Sequence, residues 1–163
     1  MTKTQQQKLN QIKDLIPEMD KLFKTLYRKF LAAPILSRDS IPKTPGVYAF
    51  YKNGKPIYVG RANNIKKRIY GHTRPSSGHY SANFAFNLAK LELTERLSES
   101  KIGRKALMED EDFVKRFFKF KSELFASNIR CIEIENDIIQ TMFEPYLALK
   151  LNTYPVNNNF DNH

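Results

Sequence analysis

The chain has 163 residues, 41% apolar and 27% charged, which suits one ordinary domain and excludes both a disordered tail and two well-built domains. No apolar run nears the ~20 residues of a membrane helix, and Met1-Thr2-Lys3-Thr4-Gln5-Gln6-Gln7-Lys8 lacks a signal peptide's apolar stretch, so no membrane is expected and the cytoplasm is the expected compartment. The net charge of +10 is uneven: Arg38 to Arg74 carries nine Lys/Arg against Asp39 alone, while Asn128 to His163 sets Arg130 and Lys150 against Glu133, Glu135, Asp137, Glu144 and Asp161.

Apolar residues at Leu9, Ile12, Leu15, Ile16, Met19, Leu22, Phe23, Leu26 and Phe30 keep helical spacing. Pro17 interrupts them, so one helix or two short ones are expected between Gln5 and Leu31, packed on the core. Pro34, Pro42 and Pro45 mark a connector. Gly46 to Tyr51 and Pro56 to Gly60 read as two strands around Asn53-Gly54, a strong hairpin signal because both residues tolerate positive φ. A two-residue Asn53-Gly54 turn would pair Tyr48 with Val59 and put Tyr48 and Tyr58 on opposite faces. A three-residue loop, Lys52 to Gly54, would pair them directly and gather Val47, Ala49, Ile57 and Val59 on an aliphatic face, and this is the expected geometry.

Asn63 or Asn64 can cap a helix from Ile65 to Tyr70 that ends near Gly71. A second helix is expected over Ser81 to Leu93, with Phe84, Leu88 and Leu91 inward, followed by a polar connector from Leu97 to Arg104. Asp110 or Asp112 can cap a third, with Phe113, Val114, Phe117, Phe118, Leu124 and Phe125 as its apolar residues. Ile129 to Glu135 alternates as a third strand, and Asn136 caps a last helix carrying Ile138, Ile139, Met142, Phe143, Tyr146 and Leu147, with Pro145 expected to kink it or start a new segment. The expected fold is α/β of the α+β kind, three antiparallel strands surrounded by helices. Residues 1–37 form a helical extension packed on the core, and 38–163 form the main domain with a helical insertion over about 94–127.

A basic block attracts a polyanion, because each neutralised phosphate releases condensed counterions. Solvated surface charge explains such a run equally well by itself; the nearby acidic region, able to hold a metal, favours nucleic acid. Cys131 stands alone, too isolated for a disulfide or a cysteine zinc site, as in a reducing cytosol. Two strand tyrosines are ordinarily packing residues, and Arg68 within Lys-Lys-Arg is ordinarily a surface charge. More specific is the ordered set Gly46-Val47-Tyr48, Tyr58-Val59-Gly60-Arg61, Arg68, His72, Glu144 and the terminal asparagines.

In that set the sequence resembles the GIY-YIG nuclease family, strongly from Pro45 to Tyr80 and more loosely from Ile132 onward. It looks closest to short and restriction-enzyme-like members with a His one turn after the helix Arg, including their Asn-rich tail, here Asn158 to His163. The resemblance implies a metal-dependent DNA endonuclease. Glu144 would ligate Mg²⁺, or Mn²⁺ in its place; Tyr48 would serve as general base with Tyr58 orienting water and phosphate. Arg68 would stabilise charge on the scissile phosphate, His72 at i+4 would bind phosphate or share the proton work, and Asn157 or Asn158, with Asn157 preferred, would be the family asparagine. Lys43, Lys52, Lys55, Arg61, Lys66, Lys67 and Arg74 would contact DNA phosphates. A single such site cuts one strand at a time, so double-strand cleavage would call for a homodimer or two successive events.

Overall fold

The computed structural model describes residues 3–93 and 103–153. Helices α1 (Lys3–Leu15) and α2 (Met19–Ala32) are separated by a 3-10 turn at Ile16–Glu18, where Pro17 lacks the N–H an α-helix needs. A connector follows, bearing a 3-10 turn at Arg38–Ser40 and a bridge from Leu36 to Ile129. Then come β1 (Gly46–Lys52), β2 (Lys55–Ala62), α3 (Ile65–Thr73), α4 (Asn83–Glu92), α5 (Arg104–Leu107), α6 (Glu111–Phe125), β3 (Asn128–Glu133) and α7 (Asp137–Lys150). The sheet order is β2-β1-β3, antiparallel throughout, as expected.

The hairpin corrects the three-residue loop. Lys52 pairs with Lys55, and Asn53 and Gly54 have φ of 51° and 74°, the positive pair of a type I′ turn that follows strand twist. A bulge then leaves Ile57 without a partner, since Phe50 faces Tyr58 while Tyr51 faces Pro56. This shift returns Tyr48 and Tyr58 to one face, diagonally, with Tyr48 opposite Gly60. The bulge also moves Ile57 away from Val47, Ala49 and Val59: it packs with the tyrosine face.

Both faces of the sheet are covered, so Tyr48 is fully buried and the aliphatic face is only one of two cores. Val47, Ala49, Tyr51 and Val59 pack against α2 and α7 through Phe23, Phe30, Phe143 and Leu147. Burying each of these phenylalanines contributes about 2–3 kcal/mol, which seats α2 on the sheet. Tyr48 and Phe50 pack against α3, α4 and α6 through Ile65, Ile69, Phe84, Phe113 and Phe117.

The caps fall on expected residues: Asn64 Oδ1 accepts from Lys67 N at 2.8 Å, Asp110 Oδ1 from Phe113 N at 2.8 Å, and Asn136 Oδ1 from Ile138 N and Ile139 N at 3.0 Å. Helix α3 runs past Gly71 to Thr73, because Ile69, His72 and Thr73 are buried there and packing outweighs the glycine. Leu91 is half-exposed rather than inward; on α6, Phe118 and Phe125 are also half-exposed and Lys121 is buried. Helix α7 is continuous through Pro145. The N–H that proline lacks would have served Thr141, an exposed residue whose carbonyl solvent can satisfy. The connector expected over 97–104 lies, up to residue 102, outside the described residues.

Candidate active site

Tyr48 leads from the middle of β1 into the layer between the sheet and α3. Its Oη lies 3.0 Å from His72 Nε2, and its ring is 6.4 Å from that of Tyr58. Tyr58 is stacked on Phe84 of α4 at 4.2 Å and stands 5.7 Å from the His72 ring, so three elements fix its orientation. Gly60 makes this approach possible: a Cβ there would lie 2.6 Å from Tyr48 Cζ and Oη and 2.9 Å from Tyr58 Cε1. The glycine after the second tyrosine is thus the floor on which both phenols rest.

Arg68 stands beside the two phenols, and its Nη1 donates to Ser81 O at 3.2 Å, tying α3 to the loop before α4. Glu144 reaches the same place from α7. Its Oε2 pairs with Arg61 Nε at 3.2 Å, and its side chain is 19% exposed, enough to meet a ligand from solvent.

The titration of these groups follows their burial. Burial first, then the neighbouring Tyr58, hold the Tyr48 phenol well above its ordinary value, while Arg68 opposes the shift. Tyr58 is pushed up to about 12 by burial and then by the Glu144 carboxylate, again against Arg68. Burial, reinforced by Arg68, lowers His72 to about 3, so its imidazole is neutral. Its Nδ1 has no hydrogen-bond partner among the described residues. A bare buried lone pair costs less than an orphaned N–H, which favours the tautomer whose Nε2–H donates to Tyr48 Oη. Burial raises the Glu144 carboxyl and Arg61 chiefly opposes it.

The structure therefore brings together Tyr48, Tyr58, Arg68, His72 and Glu144. Arg61 joins them as the partner of Glu144, a role its place after Gly60 did not reveal. His72 is completely enclosed, and its contact is the tyrosine hydroxyl. Asn157 and Asn158 lie outside the described residues. Of the expected DNA contacts, Lys43, Lys66, Lys67 and Arg74 line one groove of about 890 Å³ beside Arg68, with Asn63, Asn64, Tyr70, Ser76, Ser77 and Ser81. Lys52 and Lys55 flank the hairpin turn instead, where Lys52 pairs with Glu123 at 2.7 Å. The sequence did not single out the groove's serines as site residues; Ser76 and Ser77 stand in a short Pro-Ser-Ser-Gly stretch after Arg74, and Ser81 follows three residues beyond it.

Among the described residues no cluster of three His, Cys, Asp or Glu side chains could form a metal cage. Magnesium asks for less: one or two carboxylates, with water and substrate phosphate completing its shell. Glu144, a hard oxygen donor at a partly open position, fits that requirement.

An antiparallel hairpin with its tyrosines on one face, an arginine on the next helix and a glutamate from the last make a site like that of the GIY-YIG nucleases. Residues 44–117 match the model described as the UvrC-like GIY-YIG domain. Similar curated proteins bear the name UvrABC system protein C. That of Deinococcus radiodurans is 41% identical over 59 residues, 36% of this chain and 9% of that protein. That of Aquifex aeolicus is 51% identical over 38 residues, 23% and 7% respectively. That of Actinobacillus succinogenes is 31% identical over 80 residues, 48% and 12%. The match thus spans about a tenth of these relatives' length. No solved structure matches the chain. The family range holds Tyr48, Tyr58, Arg61, Arg68 and His72, whereas Glu144 lies beyond it and joins them through the fold.

Proposed function

We propose that the chain is a Mg²⁺-dependent endonuclease that hydrolyses DNA phosphodiester bonds, and that Mn²⁺ can replace Mg²⁺. The observation that carries this reading is the convergence of Tyr48, Tyr58, Arg68 and Glu144 from four elements beside a basic groove. Arg68 binds the scissile phosphate, where a guanidinium meets two oxygens at once. Tyr48 takes the proton of the attacking water as the new P–O bond forms, and the leaving 3′ oxygen is protonated from solvent. That role needs the phenolate, which burial disfavours; Arg68 and the Nε2–H of His72 both support it. Tyr58 orients the water. Glu144 would hold Mg²⁺, which when bound would supply charge neutralisation at the scissile phosphate. A C-terminal asparagine, Asn157 before Asn158, completes this proposed set. The expected setting is the cytoplasm; among the described residues no helix is long and apolar enough to cross a membrane.

A second reading, a binding module without cleavage, is favoured by the Arg61–Glu144 pair, which already occupies the carboxylate. Plasmid nicking separates the two. The nuclease reading expects supercoiled DNA to be cut with Mg²⁺, left intact with EDTA, and left intact by the Glu144→Ala and Tyr48→Phe variants. Retardation of the plasmid without a cut, the same in both variants, would establish the binding module. A product linearised in one encounter would point to a homodimer.

A further inference from the structure

Behind the basic groove lies a lysine with no access to DNA. Lys121 of α6 is 2% exposed, and its Nζ donates to Pro75 O at 2.9 Å and to Ser77 O at 2.6 Å. The ammonium also lies 5.3 Å from the Phe117 ring centroid and 5.2 Å from that of Phe118. Two carbonyls and two aromatic faces thus replace its water, which is the condition for burying a cation. Burial still lowers its pKa, so the position is costly for a lysine and an apolar residue would cover the same core.

What the carbonyls belong to gives the site meaning. Pro75 and Ser77 are in the loop that leaves α3, and Arg74, Ser76 and Ser77 of that loop form one wall of the groove. The loop closes on itself as well, with Ser77 N and Oγ donating to Arg74 O at 3.0 and 2.9 Å. The same helix holds the preceding turn: Arg38 lies over Phe125 at 4.1 Å and donates to Thr73 Oγ1 at 2.8 Å. So α6, lying behind α3 rather than in the groove, grips the groove's wall from its buried side.

We propose that Lys121 is a positioning residue for substrate: it fixes the 74–77 loop so that Arg74 and the loop serines meet the DNA backbone. This rests on the reading of the groove as a phosphate site. Lys121 acts through the loop, so its loss affects binding and spares the chemistry at Tyr48 and Arg68. A phosphate contact that is no longer held in place also stops displacing its counterion, which lowers the salt dependence of binding.

The test uses the full chain carrying Lys121→Met, whose unbranched thioether fits between the two phenylalanine rings and donates to neither carbonyl. Affinity for a short fluorescein-labelled duplex is measured by anisotropy in EDTA over a series of salt concentrations. The single-turnover nicking rate at saturating DNA is measured with Mg²⁺. The expected result is about tenfold weaker binding, a slope of log K against log salt shallower by about one, and an unchanged rate at saturation. Arg74→Ala should cost less in the Lys121→Met background than alone, since both remove one contact. A merely structural lysine would lower the melting temperature and leave the slope as it was. If Lys121→Met does not fold, Lys121→Gln, polar and shorter, is read the same way. A variant that binds with wild-type affinity and slope overturns the inference alone; a wild-type chain that binds no DNA overturns the groove reading with it.

Discussion

Gly60 shows what a single hydrogen in place of a methyl can decide. A Cβ there would come within 2.6 Å of the Tyr48 hydroxyl and 2.9 Å of Tyr58, so Gly60→Ala must push one ring or both. Overpacking of this kind costs about 1–3 kcal/mol. The larger effect should be on the reaction, because a shift of about 1 Å in a catalytic group lowers the rate on the order of 100-fold. Single-turnover nicking beside urea unfolding checks it, and a fully active Gly60→Ala protein would remove the phenols from the mechanism. His72 supports a prediction of a different kind. Its pKa is about 3 in the folded chain against 6.5 for an ordinary histidine, so between those values the unfolded chain binds the extra proton. The stability this neutral imidazole allows is fully present above 6.5 and is lost as pH falls toward 3, at up to about 1.4 kcal/mol per pH unit. The raised Glu144 carboxyl acts with the opposite sign, its stability falling as pH rises, so the comparison is made against His72→Gln with Glu144 intact. Urea midpoints over the acid range should show a shallower pH dependence in the variant; equal slopes would mean that His72 titrates normally.

At the scale of elements, the hairpin separates what sequence could reveal from what it could not. Asn53-Gly54 announced the turn, but the aliphatic face that argued for a longer loop does not include Ile57, and the two tyrosines share a face through a bulge there rather than by direct pairing. Periodicity cannot see a bulge, because one unpaired residue leaves composition unchanged. The two geometries differ at Asn53, whose φ of 51° is needed only by the two-residue turn. Asn53→Val should therefore destabilise by about 1–2 kcal/mol, because a β-branched residue is strained at positive φ. It should leave nicking intact, as Asn53 lies five residues along the chain from Tyr48. Thermal unfolding checks the first and plasmid assay the second; an unaltered melting temperature would return the loop to three residues. The caps at Asn64, Asp110 and Asn136 were legible because each is a local bond between a side chain and the backbone just after it. The end of α3 was not, since His72 and Thr73 stay helical through burial by partners far along the chain. Lys121 was hidden for the same reason: nothing local tells a lysine that its ammonium will meet the carbonyls of Pro75 and Ser77.

For the whole molecule, the question is which of its many cations would meet the proposed DNA. The block from Arg38 to Arg74 looks uniform in sequence, yet the fold divides it. Lys43, Lys66, Lys67 and Arg74 line the groove beside Arg68, Lys52 and Lys55 sit at the hairpin turn, and Arg61 is paired with Glu144. Net charge alone would make these cations interchangeable, because long-range attraction counts charge and not place. Contact with phosphate is different, since only a cation that neutralises a phosphate releases its counterion. Lys67→Gln and Lys55→Gln remove the same charge from the same chain. The first should weaken binding of a short duplex and lower the salt slope by about one; the second should leave the slope unchanged, with only a small loss in association at low salt. Anisotropy titrations across a salt series measure both. Equal slopes for the two variants would mean that DNA responds to the charge of the block as a whole, and that the groove beside Arg68 is not the path of the strand.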